Sequence, residues 1–384
     1  MDFNLSEEHL AFRDMAANFA EEKLRPNAGQ WDLNHTFPIN VLKEAAQLGM
    51  AAMVCREDIG GAGLTRLDAA IIFEQLATGC ITTTAYLSIH NMVASLIDRY
   101  SDDAFRKHWG PQLTSMSKVA SYCLTEPESG SDAASLKTNA EDKGDHYLVN
   151  GCKTFISGGS VSDLYLTMVR TGDNSYRGIS SLLIEKNMPG VSFGAQEMKM
   201  GWKAQPTTMV YFENVKVPKS HLVGKEGEGF RIALNALNGG RINIAACSLG
   251  GALACLRACQ RYMLERKQFE KPIAQFQGLR FYFSDMYTQF ESARLMVYRA
   301  ASALHQEGPK AATYCAMAKR YATDTAFQIA DRAMQIHGGY GYLHDYQIER
   351  IFRDLRVHCI LEGTNEIMRE IIAKNTLTED YVIE

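Results

Sequence analysis

Asp145-His146-Tyr147-Leu148-Val149-Asn150-Gly151-Cys152-Lys153-Thr154-Phe155-Ile156-Ser157 sets β-forming residues on either side of an Asn-Gly pair. Asn-Gly favours the positive backbone angles of a two-residue hairpin loop. The segment therefore predicts a strand over Asp145–Val149, a turn at Asn150-Gly151 and a return strand over Lys153–Ser157. Further short β-prone runs follow at Leu164–Arg170, Ile179–Ile184, Val191–Phe193 and Thr208–Phe212, with Gly, Asn, Asp and Pro between them. Together they read as a small antiparallel β domain beginning near Val119.

Both flanks read as helix. On the N-terminal side Ser6 can cap Glu7-Glu8, and Phe12, Ala16, Phe19 and Ala20 recur at helical spacing up to Pro26. Pro38 heads Ile39–Met50, Gly60-Gly61-Ala62-Gly63 interrupts before Leu67–Leu76, and Gly79–Thr84 leads into apolar Ala85–Leu96. On the C-terminal side Glu228–Arg266, Phe276–Glu307 and Lys310–Met334 are long helical patterns. Pro272 is the only proline between Pro218 and Pro309, and none follows Lys310. Helices, then segregated strands, then helices make an α+β chain. The expected units are an N-terminal α-helical domain over 1–118, a central antiparallel β domain over 119–229 and a C-terminal helical bundle over 230–384.

Composition narrows the function. The 384 residues are 46% apolar and 22% charged, as in soluble globular proteins. A net charge of −4 and a pI of 6.2 argue against nucleic-acid binding. Nine scattered cysteines and ten scattered histidines form no ligand pattern, so no metal is expected, and the thiols suit a reducing compartment. The acidic N-terminus, Met1 to Glu8, lacks signal- or transit-peptide character, and no apolar run approaches a membrane span. A transit peptide removed earlier would leave no trace.

Gly60-Gly61-x-Gly63, Gly227-x-Gly229 and Gly338-Gly339-x-Gly341 resemble fragments of a dinucleotide fingerprint. None follows a strand and opens a helix within a βαβ unit, and no P-loop is present. Tyr122-Cys123-Leu124-Thr125-Glu126-Pro127-Glu128-Ser129-Gly130-Ser131-Asp132 is a hydroxyl-rich turn, suited either to polar ligand binding or to a solvated loop. Phe155-Ile156-Ser157-Gly158 puts an aromatic and a hydroxyl at a strand end, for packing or for a wall beside a planar ligand. Arg266-Lys267-Gln268-Phe269 places cations at a helix end, where they also complement the helix dipole. In Ile360-Leu361-Glu362-Gly363-Thr364-Asn365-Glu366-Ile367-Met368, one carboxylate stands between an apolar run and a glycine. Held against apolar surface, Glu362 would make a general base; otherwise it is an ordinary loop glutamate before a capped helix.

These stretches, with Leu222-Val223-Gly224 through Gly229-Phe230, Asn238–Arg241, Phe276-Gln277, Gln335–Tyr342 and Leu361–Arg369, occur in the same order in the acyl-CoA dehydrogenase family, which the chain resembles from about Leu5 to Asn375. Thr83–Met92 and Asn238–Ala245 most resemble members acting on isobutyryl-CoA in valine breakdown.

The resemblance implies a C-terminal four-helix bundle and FAD held without a Rossmann domain. Tyr122, Cys123, Leu124, Thr125, Ser129, Gly130 and Ser131 would hold the flavin edge and ribityl chain, and Phe155, Ile156 and Ser157 would flank the ring. Arg266 would pair with the pyrophosphate, with Phe269 in the same cofactor set, and Phe276 and Gln277 would meet the adenosine. Gln335, Ile336, His337, Gly338 and Gly339 would come from a neighbouring subunit, and Thr364, Asn365 and Glu366 would close over the cofactor. Ser131, Asn238, Gly239, Gly240, Arg241 and Lys374 would contact the acyl-CoA. Glu362 matches the family's base; the alternative position used by isovaleryl enzymes aligns with Gly240, which cannot serve.

The implied reaction is α-proton abstraction with β-hydride transfer to flavin N5, converting isobutyryl-CoA to methacrylyl-CoA. Reduced flavin would be reoxidised by an electron-transferring flavoprotein, and the assembly would be a homotetramer built as a dimer of dimers. The location would be the bacterial cytoplasm or the mitochondrial matrix. Rival readings are a 2-methylbutyryl- or butyryl-CoA enzyme, an acyl-CoA oxidase, or a non-catalytic scaffold. Glu128, often glycine in relatives, is expected to face solvent.

Overall fold

The computed structural model describes residues 4–378. Its helices are α1 (Glu7–Phe19), α2 (Arg25–Asn34), α3 (Ile39–Gln47), α4 (Arg66–Gly79), α5 (Ile81–Tyr100), α6 (Asp103–Thr114), α7 (Gly229–Glu265), α8 (Gln277–His305), α9 (Ala311–His337), α10 (Ile348–Arg356) and α11 (Asn365–Thr376). The strands are β1 (Ala120–Cys123), β2 (Asn139–Asp142), β3 (His146–Ser157), β4 (Leu164–Arg170), β5 (Ile179–Glu185), β6 (Val191–Phe193), β7 (Thr207–Pro218), β8 (Lys267–Gln268) and β9 (Lys271–Pro272). Helical, sheet and helical segments thus follow one another in the expected order.

Ser6 caps α1, its hydroxyl accepting from the His9 N–H at 3.2 Å. The chain does not stop at Pro26, because proline is tolerated in the first turn of a helix and Pro26 occupies that place in α2. Cys80 alone separates α4 from α5, so the β-branched run after Gly79 is already helical.

The Asn150-Gly151 hairpin does not form. β3 runs unbroken from His146 to Ser157 along β7, with register shifts between Val149 and Gly151 and between Lys153 and Ile156. Gly151 has φ 145°, and a Cβ there would lie 2.7 Å from Thr138 Cα, so glycine serves a bulge rather than a turn. The hairpin lies earlier, between β2 and β3, where Gly144 has φ 92° and donates to Asp142 Oδ1 at 2.8 Å.

The sheet is also not wholly antiparallel. β1, arriving from the helical segment, runs parallel to β4 from Ala120–Leu164 to Cys123–Thr167, and one parallel bridge joins Asn139 to Arg170. These two short segments share one edge of β4, while β5 lies antiparallel on the other. The remaining order is β2-β3-β7-β6.

The largest core joins α1 and α4 to α7, α8 and α9. Three long helices, α7, α8 and α9, pack on one another; α11 lies along α9 as a shorter fourth, and α10 is an addition to the expected bundle. α7 is long and apolar enough to cross a membrane, contrary to the sequence expectation, but 83% of its most apolar stretch is buried inside the fold. A core helix meets the same criterion of length and composition.

Two buried polar groups tie the layers together. The Ala120 N–H donates to His90 Nδ1 at 3.1 Å, so Nε2 carries the proton and donates to the Leu113 carbonyl at 2.9 Å. Burial pushes His90 down to about 4, which keeps it neutral and locks α5 to α6 and β1. Asp354 accepts from the Trp202 N–H at 2.6 Å and from Thr82 Oγ1 at 3.0 Å, joining α10, the β6–β7 connection and α5.

Candidate active site

A cavity of about 340 Å³ opens between the loop after β1, the end of β3, the middle of α7 and the turn before α11. Its polar wall includes Tyr122, Thr125, Gly130, Ser131 and Ser157; its apolar wall includes Ile89, Met92, Leu237, Ile244, Ile367 and Ile371. The loop is held from beneath by Lys153 on β3, whose fully buried ammonium donates to Glu126 Oε1 at 2.7 Å and to the Leu124 carbonyl at 3.0 Å. Glu126 in turn accepts from the Thr138 N–H at 2.9 Å. The bulge after Lys153 gives Phe155 a left-handed φ of 57° and leaves its ring 67% exposed beside the cavity.

Glu362 stands at the opposite wall. It too has a left-handed φ, 57°, followed by Gly363 at 88°. Its Oε2 is buried without a hydrogen-bond partner. Burial raises the carboxyl from its usual range to about 7, with the Arg241 and Lys319 cations limiting the rise. Among the hydrogen bonds of the described residues, the Glu362 N–H has no acceptor. The Glu362 carbonyl accepts from Arg241 Nε at 3.4 Å, while Arg241 also donates to Asn238 Oδ1 at 2.8 Å. Across the cavity the Tyr122 hydroxyl is likewise buried and unpartnered; burial, then the Glu362 charge, hold it protonated. Gly240 explains how α7 passes this carboxylate: a Cβ there would lie 2.5 Å from Glu362 Oε2.

The expected site residues divide. Tyr122, Leu124, Thr125, Gly130, Ser131, Phe155, Ile156, Ser157, Arg241 and Glu362 line the cavity. Cys123 does not; it alternates into the core of the sheet, where burial pushes its thiol up to about 12. Ser129 is buried and donates to the Asp132 carbonyl at 2.6 Å, bracing the loop from within. Glu128 is exposed and pairs with Lys137. Thr364 caps α11 by accepting from the Ile367 N–H at 3.3 Å, Asn365 is buried against α9, and Glu366 faces solvent. Gly239 is buried against Arg66. Lys374 is exposed on α11, one turn beyond Ile371 and on the same helical face.

Arg266, Gln335, Ile336, His337, Gly338 and Gly339 line a second cleft of about 500 Å³, which shares no wall with the first. Arg266 lies over the Tyr340 ring at 5.5 Å, and His337 stacks on Tyr262 at 4.3 Å. Next to it Phe269, almost fully exposed, meets Phe276 edge to face at 6.0 Å, where Gln277 begins α8. One chain therefore presents two separate clefts.

Three contributors were not legible in the sequence. Gln205 donates to Ser157 Oγ at 3.2 Å and leaves its own buried Oε1 without a partner. Trp202, at φ 53°, lines the cavity and donates from Nε1 to His358 Nε2 at 3.2 Å. Lys319 lies behind the Glu362 turn. Their spacing carries no motif, since each acts across a distant part of the chain.

Comparison with known proteins agrees with this geometry. The chain is 53% identical to an isobutyryl-CoA dehydrogenase, mitochondrial, of Dictyostelium discoideum over 378 residues, covering 98% of the chain and 91% of that protein. It is 51% identical to the Bos taurus protein of the same name over 375 residues, covering 98% and 90%. The solved butyryl-CoA dehydrogenase of Megasphaera elsdenii superposes with a TM-score of 0.95 at 34% identity, covering 98% of this chain and 100% of that one. Models of the acyl-CoA dehydrogenase N-terminal, middle and C-terminal domains match residues 6–117, 121–215 and 227–377. A polar loop and a lone buried carboxylate facing each other across one cavity, with these matches over nearly the whole length, mean that the chain belongs to the acyl-CoA dehydrogenase family.

Proposed function

We propose that the chain oxidises isobutyryl-CoA to methacrylyl-CoA in valine breakdown, with Glu362 as the base that removes the α-proton. The observation that carries this is the carboxylate itself: buried, unpaired at Oε2, raised to about 7 and directed at a cavity with a small apolar end. A base near neutrality matches proton affinity to physiological pH.

The residues present fit FAD. Thr125 and Ser157 offer hydroxyls, Phe155 exposes an aromatic face, and the orphaned Gln205 Oε1 lies behind Ser157. Bound FAD supplies the hydride acceptor for the β-carbon. Glu362 contributes two groups to the same substrate. Its unpaired N–H is a donor for the thioester oxygen, where charge develops as the α-proton leaves, and its carboxylate receives that proton. Ile89, Met92 and Ile244 exclude water around the acyl chain, which strengthens both interactions. Ser131, Asn238, Arg241 and Lys374 suit the polar CoA arm.

The second cleft supports the oligomer. Arg266 and the Gln335–Gly339 segment lie together but apart from Glu362, so they complete the cofactor site of a neighbouring copy rather than their own. This joins two groups that the motifs left on different sides, within a tetramer whose electron acceptor is an electron-transferring flavoprotein. The mitochondrial relatives support a matrix location; in a bacterial host it is the cytoplasm.

The test is the visible spectrum of the flavin-loaded protein mixed anaerobically with isobutyryl-CoA. Immediate bleaching is expected. Bleaching only by butyryl-CoA or longer chains overturns the branched substrate, and rapid oxygen uptake favours an oxidase.

A further inference from the structure

Lys319 lies on α9 with none of its surface exposed. Its Nζ donates to the Gly363 carbonyl at 2.8 Å and to Asn365 Oδ1 at 2.9 Å. Both acceptors are neutral, although a buried cation without a contacting carboxylate is strongly disfavoured. A methionine would fill the same volume without that cost. The two oxygens flank Thr364, the cap of α11, so one ammonium grips the chain on both sides of the cap. Asn365 is itself fixed, donating to Thr323 Oγ1 at 3.0 Å and to Asp324 Oδ1 at 2.7 Å.

Immediately before this grip stands Glu362 in a left-handed conformation. A non-glycine residue in that region is disfavoured and persists only where its surroundings enforce it. The Lys319 bond to Gly363 is such an enforcement, one residue away. We propose that Lys319 is a positioning residue for Glu362: it holds the left-handed turn that presents the carboxylate and places a fixed positive charge behind it. The charged and titratable groups facing the pair are Arg241 from α7, Cys359 and Asp324 beside Lys319, the buried and neutral His358, Glu366 on α11, and Tyr122 across the cavity. Arg241 and Lys319 are the cations among them, and both bond the turn: Arg241 Nε reaches the Glu362 carbonyl at 3.4 Å, and Lys319 Nζ reaches the Gly363 carbonyl at the shorter 2.8 Å. Burial lowers the Lys319 ammonium to about 8.

The inference rests on Glu362 being the base, so Glu362→Gln is measured beside Lys319→Met and Lys319→Gln. Each flavin-loaded variant is assayed with isobutyryl-CoA across pH, with kcat expressed per bound flavin. Lys319→Met is expected to lower kcat about 100-fold, the usual cost of a misplaced catalytic group, with KM within about threefold. Its acidic limb moves to higher pH, because losing the cation lets burial raise Glu362 further. Lys319→Gln keeps a donor for Gly363 but not the charge. It should lose less kcat and show the same displaced limb, and it decides the matter if the methionine variant does not fold. An unmoved acidic limb in the folded variant overturns the proposal, as does a kcat within about threefold of wild type for Lys319→Met. Full activity in Glu362→Gln overturns the base assignment instead.

Discussion

As the proposed base, Glu362 trades stability for reactivity. Its carboxyl is raised from 4.5 to about 7 by burial, so the group favours the folded state below its unfolded value and loses that contribution as pH rises through 7. Activity follows the opposite sense, since only the ionised form accepts a proton, and kcat/KM should climb through pH 7 in free enzyme. Glu362→Gln separates the two effects. It should lower kcat by about 10²–10⁴-fold, the range for loss of a general base. In denaturant titrations at pH 8 it should be more stable than wild type by up to about 3 kcal/mol, with the gap closing near pH 5. An equal gap at both pH values would mean that the ionised carboxylate is not the source of the cost.

Among the elements, α7 carries the closest approach to the site. Alanine is about 1 kcal/mol better than glycine inside a helix, yet at position 240 its Cβ would meet Glu362 Oε2 at 2.5 Å. The carboxylate end can move, so Gly240→Ala should fold at least as well as wild type while kcat falls about 100-fold. Thermal unfolding and turnover on one preparation check this; unchanged turnover would show that the carboxylate has room to spare. Such effects mark where sequence reading stops. The long helices and strand β4 follow from periodicity, and Glu362 stands out because a glycine and a cap surround it. Within β3, Asn-Gly has the same composition in a turn and in a bulge, and only Thr138 packed against Gly151 distinguishes them. Lys319 looks like any helical lysine until α11, more than forty residues later, closes over it.

In the whole molecule, the proposed sharing of the two clefts would make activity a property of pairs of chains. A chain bearing Glu362→Gln still offers its Arg266 cleft, and one bearing Arg266→Ala still offers its base. Neither should turn over alone, but unfolding and refolding them together should restore part of the activity, since some cavities then receive both intact halves. Mixtures as inactive as the separate variants would place both clefts on the same cofactor of one chain. α9 runs between these clefts, with Lys319 under the Glu362 turn and Gln335 in the wall of the other. Sixteen residues of helix span about 24 Å at a fixed rise. In the proposed assembly the helix would work as a gauge block, setting the spacing between the half-site a chain keeps and the one it lends. Adding a single residue between them would turn one end by about 100° against the other and put every shared site in the assembly out of true at once.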